Sequence, residues 1–265
     1  MDENRISQRI DKFPARKSGG TSYRENGAGR ALILLHGIGS ASGSWLYQLQ
    51  GVEGFRVIAW DAPGYGDSAF LANKEPAPNE YADALHGFVD RLLLKDVVLV
   101  ANSLGALMAG AYARAHPERV RAMMLISPAS GYQGDRSKLT ERLQALDELG
   151  PDGLAEKRSP NLLGSTAQPD ALELVQWSQR RIHPPGYRQA AYCLANGHLA
   201  DDARHFRKKV LVVCGTEDRI TPEHGCKLVA AAFPNATYRS LPGLGHVSHI
   251  EDPKQLNRLI SDFAA

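Results

Sequence analysis

Ser103 stands where the apolar run VVLV (97–100) passes through Ala101 and Asn102 into the small residues LGALMAGA. A serine on a tight turn between a buried strand and a helix presents its hydroxyl at the sheet's edge. The residues two before and two after it, here Ala101 and Gly105, must be small for the helix to approach the strand. Serine at a strand end also serves as a helix N-cap, so this motif alone does not decide its role. A hydroxyl is a weak nucleophile at neutral pH. It needs a base to accept its proton, and the base needs an acceptor for its other N–H. His246 in GLGHVSHIEDP is the candidate base, falling last in the chain, and Glu217 and Asp218 in GTEDRITP are rival acids.

Side chains so far apart in sequence need a scaffold whose strand ends converge. Apolar runs at 31–37, 55–61, 96–103, 120–127, 209–215 and 236–243 are each continuous rather than alternating. Continuous runs mark strands covered on both faces, as in a parallel sheet between helices. Helices are expected at 80–94, 104–116, 222–233 and 253–263, and an edge hairpin at KSGGTSYRENG. The strand–helix alternation stops between 129 and 207, where PDG, SPN, QPD and HPPG break up helical segments. The fold expected is therefore α/β, with a core of residues 1–128 and 208–265. Residues 129–207 form a helical cap inserted after the sixth strand. Leu139, Leu143, Leu146 and Leu149 share one helical face, which the cap must bury.

Four further stretches, in order and each at an expected strand end, resemble the α/β-hydrolase superfamily in its serine branch. LLHGIG looks like its oxyanion loop and DAPGYGDS like its D-x-x-G-x-G-x-S turn. GTEDRITP looks like its acid turn and GLGHVSHIEDP like its histidine loop. NSLG departs from G-x-S-x-G only in Ala101, which adds a methyl and no polarity. The resemblance implies a triad of Ser103, Asp218 and His246, with Asp218 preferred to Glu217 because it precedes R-I-T-P. It also implies an oxyanion hole from the backbone N–H groups of Ile38 and Leu104. Gly37, Asn102, Trp45 and Val247 are the expected pocket residues. No metal, nucleotide or flavin is implied, so no cofactor is expected. Serine at this position points away from its dehalogenases and epoxide hydrolases, which carry Asp.

Within that branch Asn102 resembles the hydrolases that cleave carbon–carbon bonds in aromatic ring-fission products. Those usually carry Trp after the triad His, however, and here Val247 stands there. The ending GHVSHIEDP looks more like the enol-lactonases and small carboxylesterases, so an ester or lactone is expected ahead of a carbon–carbon bond. A ligand-binding receptor and a cofactor-free oxygenase or perhydrolase are the alternatives of another class.

Other residues have plainer explanations. His36 is expected to brace the oxyanion loop, His249 to be a surface or loop residue, and Asp61 to form a turn. His183, His198 and His205 lack metal-ligand spacing. Arg180, Arg181 and Arg188 read as a solvated helix face, although one of them could hold a substrate carboxylate. The 43% hydrophobic and 23% charged residues are ordinary globular proportions. Lys and Arg number 31 against 29 Asp and Glu, too even a balance for a nucleic-acid partner. Three cysteines without C-x-x-C spacing and an amino terminus without an apolar core suit a cytoplasmic protein, monomer or homodimer, acting on a small molecule. The uncharged stretch between Asp96 and Arg114 reads as a buried strand and small-residue helix rather than a membrane span.

Overall fold

A computed structural model describes residues 3–132 and 134–265. The chain begins with helix α1 (Glu3–Ile10), then strands β1 (Arg16–Ser18), β2 (Thr21–Asn26) and β3 (Arg30–Leu35). After β3 come α2 (Leu46–Gly51), β4 (Phe55–Trp60), α3 (Pro78–Arg91), β5 (Val97–Asn102), α4 (Gly105–Ala115) and β6 (Val120–Ile126). Four helices follow without an intervening strand: α5 (Arg136–Arg158), α6 (Pro169–Arg180), α7 (Pro184–Asn196) and α8 (Leu199–Ala203). The chain then closes with β7 (Lys209–Gly215), α9 (Glu223–Ala232), β8 (Ala236–Leu241), α10 (Ser248–Glu251) and α11 (Pro253–Ala264).

The strands make one sheet in the order β1-β2-β4-β3-β5-β6-β7-β8. The six from β3 onward run parallel, while β1 and β2 form the expected antiparallel edge hairpin. Every residue of β5 is buried, as its unbroken apolar run requires of a strand covered on both faces. Two apolar layers do the covering: Leu99, Met108 and Tyr112 belong to one, and Val100, Leu49 and Leu256 to the other. Helix α4 is buried from Gly105 to Ala113, which accounts for the missing charges between Asp96 and Arg114. Among the described residues no helix is long and apolar enough to cross a membrane.

Because parallel strands share one polarity, the loops after β3, β5, β6, β7 and β8 emerge along one edge of the sheet. Helices α5 to α8 join the core there rather than standing apart. Leu146, Leu154, Ile182, Tyr187 and Leu194 belong to the same apolar cluster as the sheet residues Ile33 and Leu99. The leucine face of α5 is turned inward: Leu139 and Leu146 are buried, and Leu143 and Leu149 are partly so. Gly150, with φ 61°, breaks α5 just before Pro151. The amino-terminal helix was not among the expected elements. Its Ile6 and Ile10 pack with Leu174 and Val175 of α6. Arg5 pairs with Asp170 and Glu173, and Trp177 Nε1 donates to Ser7 Oγ at 3.0 Å.

Candidate functional site

Strand β5 ends at Asn102, and Ser103 turns the chain with φ 52°, a left-handed conformation that costs a side-chain-bearing residue about 1 kcal/mol or more. The turn is pinned on several sides. Ser103 N–H donates to Ile126 O at 3.0 Å, and Ser103 O accepts from Ala106 N–H at 3.0 Å and Ala129 N–H at 3.1 Å. Gly105 is obligatory, because a Cβ there would lie 2.4 Å from Leu35 O. Ala101 is accommodated in the buried strand between Leu35 and Leu125.

The acid turn after β7 is built around Asp218. Its Oδ1 accepts the N–H groups of Ile220 at 2.8 Å and Thr221 at 2.9 Å, and its Oδ2 accepts the Thr221 hydroxyl at 2.8 Å. His246 Nδ1 lies 2.9 Å from Asp218 Oδ2, which assigns the proton to Nδ1 and leaves the lone pair on Nε2. Burial would raise the Asp218 carboxyl, but the charge and hydrogen bond of His246 and the Thr221 amide outweigh it and hold the group below its ordinary value. Glu217 faces elsewhere. It holds the N–H and hydroxyl of Ser165, both at 2.7 Å.

The histidine loop is fixed from three directions. Asn102 Nδ2 donates to His246 O and to Ile126 O, each at 3.1 Å, and so ties β5 to that loop. His246 N–H donates to Leu162 O at 2.8 Å, and buried Glu251 accepts the N–H groups of Gly245 at 2.9 Å and Gly164 at 2.7 Å. Thr221, which the motifs did not single out, adds a further contact: its Oγ1 is 3.2 Å from His246 Nδ1 and 3.1 Å from Ser127 O. Only its place in R-I-T-P could have drawn attention to it.

Ser103, His246, Asn102, Gly37, Ile38 and Val247 all line one cavity of about 550 Å³. Among the described residues no hydrogen bond joins Ser103 Oγ to His246, a separation that unliganded sites commonly close only when substrate is bound. The loop at Gly37 lies against the serine turn, since a Cβ on Gly37 would be 3.1 Å from Ser103 Cβ. His36 braces that loop as expected, its Nδ1 at 2.9 Å from Gly37 O and its Nε2 accepting Ala62 N–H at 3.1 Å. Asp61 is likewise structural, accepting Ser42 N–H and the Ser22 hydroxyl, both at 2.7 Å. Leu104 is wholly buried, so only its N–H is of use to a ligand.

Two expectations are corrected. Trp45 does not line the cavity; it is wholly buried in the layer with Leu49, its ring 4.3 Å from that of His249. His249 is no surface residue: it is buried, lines the cavity, and burial with the nearby His246 pushes its pKa down to about 3. The arginines singled out in 180–188 also turn elsewhere. Arg188 pairs with Asp147, Arg180 lies 3.8 Å from Asp152, and Arg181 stacks on Trp177 at 4.3 Å. The arginines that do line the cavity are Arg142 and Arg158 of α5. Among the described residues no group of three or more His, Cys, Asp or Glu side chains is placed to hold a metal ion.

The family model for the alpha/beta hydrolase fold matches residues 30–253, spanning the sheet from β3 onward, the inserted helices and the histidine loop. The chain belongs to the α/β hydrolase family. This hydrolase is 30% identical, over 91% of its own chain and 89% of the relative's, to a 2-hydroxy-6-oxononadienedioate/2-hydroxy-6-oxononatrienedioate hydrolase of Paraburkholderia phymatum. It is 29% identical, over 90% and 89%, to a 2-hydroxy-6-oxo-6-phenylhexa-2,4-dienoate hydrolase of Burkholderia cepacia. Among solved structures it resembles an enol-lactonase of Burkholderia xenovorans with a TM-score of 0.85 at 22% identity, over 94% of this chain and 99% of that one. A thermophilic esterase of Thermogutta terrifontis gives a TM-score of 0.84 at 24% identity, over 94% and 96%. At those identities the structural likeness speaks for the fold.

Proposed function

We propose that this hydrolase cleaves the carbon–carbon bond beside a ketone in ring-fission products of the 2-hydroxy-6-oxo-dienoate type, with Ser103 as nucleophile, His246 as base and Asp218 as its orienting acid. The observation that carries the chemistry is the common cavity of Ser103 and of an imidazole whose Nδ1 is already taken by Asp218. The choice of bond rests on the relatives of 29–30% identity, whose names specify dienoate and dienedioate substrates. They weigh more than the ester-or-lactone expectation drawn from Val247, which stays as the second reading.

The steps follow from the groups present. Ser103 Oγ adds to the 6-oxo carbon while His246 Nε2 takes its proton, and the oxyanion rests on the N–H groups of Ile38 and Leu104. In the substrate's keto tautomer, carbon 5 is conjugated through an alkene to the 2-oxo group. When the bond between carbons 5 and 6 breaks, its electron pair therefore leaves as a dienolate, which His246 protonates. Water, deprotonated by His246, then releases the acyl group as a carboxylic acid. We read residues 129–207 as the cap that closes this site against bulk water.

The test is a panel of a ring-fission dienoate, an enol-lactone and a p-nitrophenyl ester, run on wild type and Ser103→Ala. Loss of dienoate absorbance should give the highest kcat/KM, and Ser103→Ala should lower kcat by about 10³-fold or more. Turnover of the lactone or ester alone would select the second reading, and full activity in Ser103→Ala would refute Ser103 as nucleophile.

A further inference from the structure

We propose that Arg142, with Tyr132 and Tyr187, forms an anion site that holds a carboxylate of the substrate inside the Ser103 cavity. The proposal rests on the reading of that cavity as an acyl-hydrolysis site, and it assigns the binding group to α5 rather than to the 180–188 arginines.

Arg142 lines the cavity and is half-buried, yet among the described residues it has no carboxylate partner. Its guanidinium donates through Nε to the Tyr132 hydroxyl at 2.7 Å and through Nη1 to the Tyr187 hydroxyl at 2.8 Å. Arg158, also on the cavity wall, reaches the same Tyr187 hydroxyl at 3.3 Å. Guanidinium carries five N–H donors, so the Nη2 pair and one Nη1 hydrogen remain to be satisfied. Each tyrosine oxygen accepts from a cation and keeps its own proton to give. The result is a cluster of unspent donors around a positive charge removed from bulk water, with no carboxylate bonded to it among the described residues. Such a charge is costly to maintain uncompensated, and a planar carboxylate that takes two parallel N–H groups compensates it best. Arginine serves here better than lysine because the tyrosines fix the plane of its fork. Two further charged residues line the same cavity, Lys138, which lies 3.8 Å from Asp135, and Glu141; their opposite charges leave Arg142 and Arg158 to set the sign of the wall.

Binding is measured on the full-length Ser103→Ala protein by titration calorimetry with 6-oxo-6-phenylhexanoate and, separately, its methyl ester. This saturated keto acid lacks the diene and so cannot undergo the proposed cleavage. The acid should bind at least about 10-fold more tightly than the ester, in line with a hydrogen bond to a charged group. Adding Arg142→Gln should abolish that preference, and Arg142→Lys should restore part of it. Equal binding of acid and ester would overturn the proposal; so would an acid preference that survives in a folded Arg142→Gln protein. If Arg142→Gln fails to fold, Arg142→Lys decides the matter: an undiminished acid preference in that protein would overturn the proposal, and a reduced one would support it. Cleavage of dienoates is read separately on wild type, so an acid preference without cleavage leaves the anion site standing and removes only the reading of the bond.

Discussion

The residues around Ser103 are held by interactions that leave little freedom. Asn102 fixes the histidine loop by its carbonyl, and Thr221 touches both the acid and the imidazole. His249 has a different role. It is buried against Trp45, its Nδ1 has no hydrogen-bond partner among the described residues, and burial holds its pKa at about 3, well below the ordinary 6.5. Below pH 6.5 the unfolded chain takes up a proton at this side chain that the folded protein refuses. The contribution to stability is therefore complete above about pH 6.5 and is lost as pH falls toward 3. It declines by about 1.4 kcal/mol per pH unit in that window. His36, also buried with a lowered pKa, acts in the same direction. Urea unfolding at pH 7 and pH 5 should show a smaller loss of stability in His249→Gln than in wild type. Equal losses in the two proteins would contradict the assignment.

The elements were unequally legible in the sequence. Strands β3 to β7 could be read because each is a continuous apolar run, and the turn at Ser103 because Asn102, Ser103 and Gly105 interrupt such a run. Helix α1 could not: its apolar content amounts to Ile6 and Ile10 among polar neighbours, and its partner α6 begins only at Pro169. Neither could the inward turn of Arg142 and Arg158. Both lie on α5, and the break at Gly150 sets the direction of its second half relative to its first. His249 misled because a histidine three residues beyond His246 looks like loop polarity, whereas the short helix α10 turns it inward. The docking of α1 is apolar in substance, since Arg5 makes its ion pairs at the surface, where salt and solvent weaken them. Ile10→Ala should lower unfolding free energy by about 2–5 kcal/mol, measured by chemical denaturation, if α1 unfolds together with the rest. Loss of less than about 0.5 kcal/mol would mean that the strap frays independently.

Taken as a whole, the molecule brings three distant loops together over one sheet edge and covers them with helices that share the core's apolar cluster. Nothing in the amino-acid pattern fixed how large the enclosed space would be, because that depends on how α5 to α8 pack. The convergence of the loops was readable from the order of the motifs. The central claim is that the Ser103 hydroxyl becomes nucleophilic through His246, and it is tested most directly by intact-mass spectrometry after exposure to a fluorophosphonate. Wild type should take up one equivalent, mapped by peptide sequencing to Ser103, while His246→Ala should be labelled at least about 10³-fold more slowly. An adduct elsewhere, or equal labelling rates in the two proteins, would contradict the account.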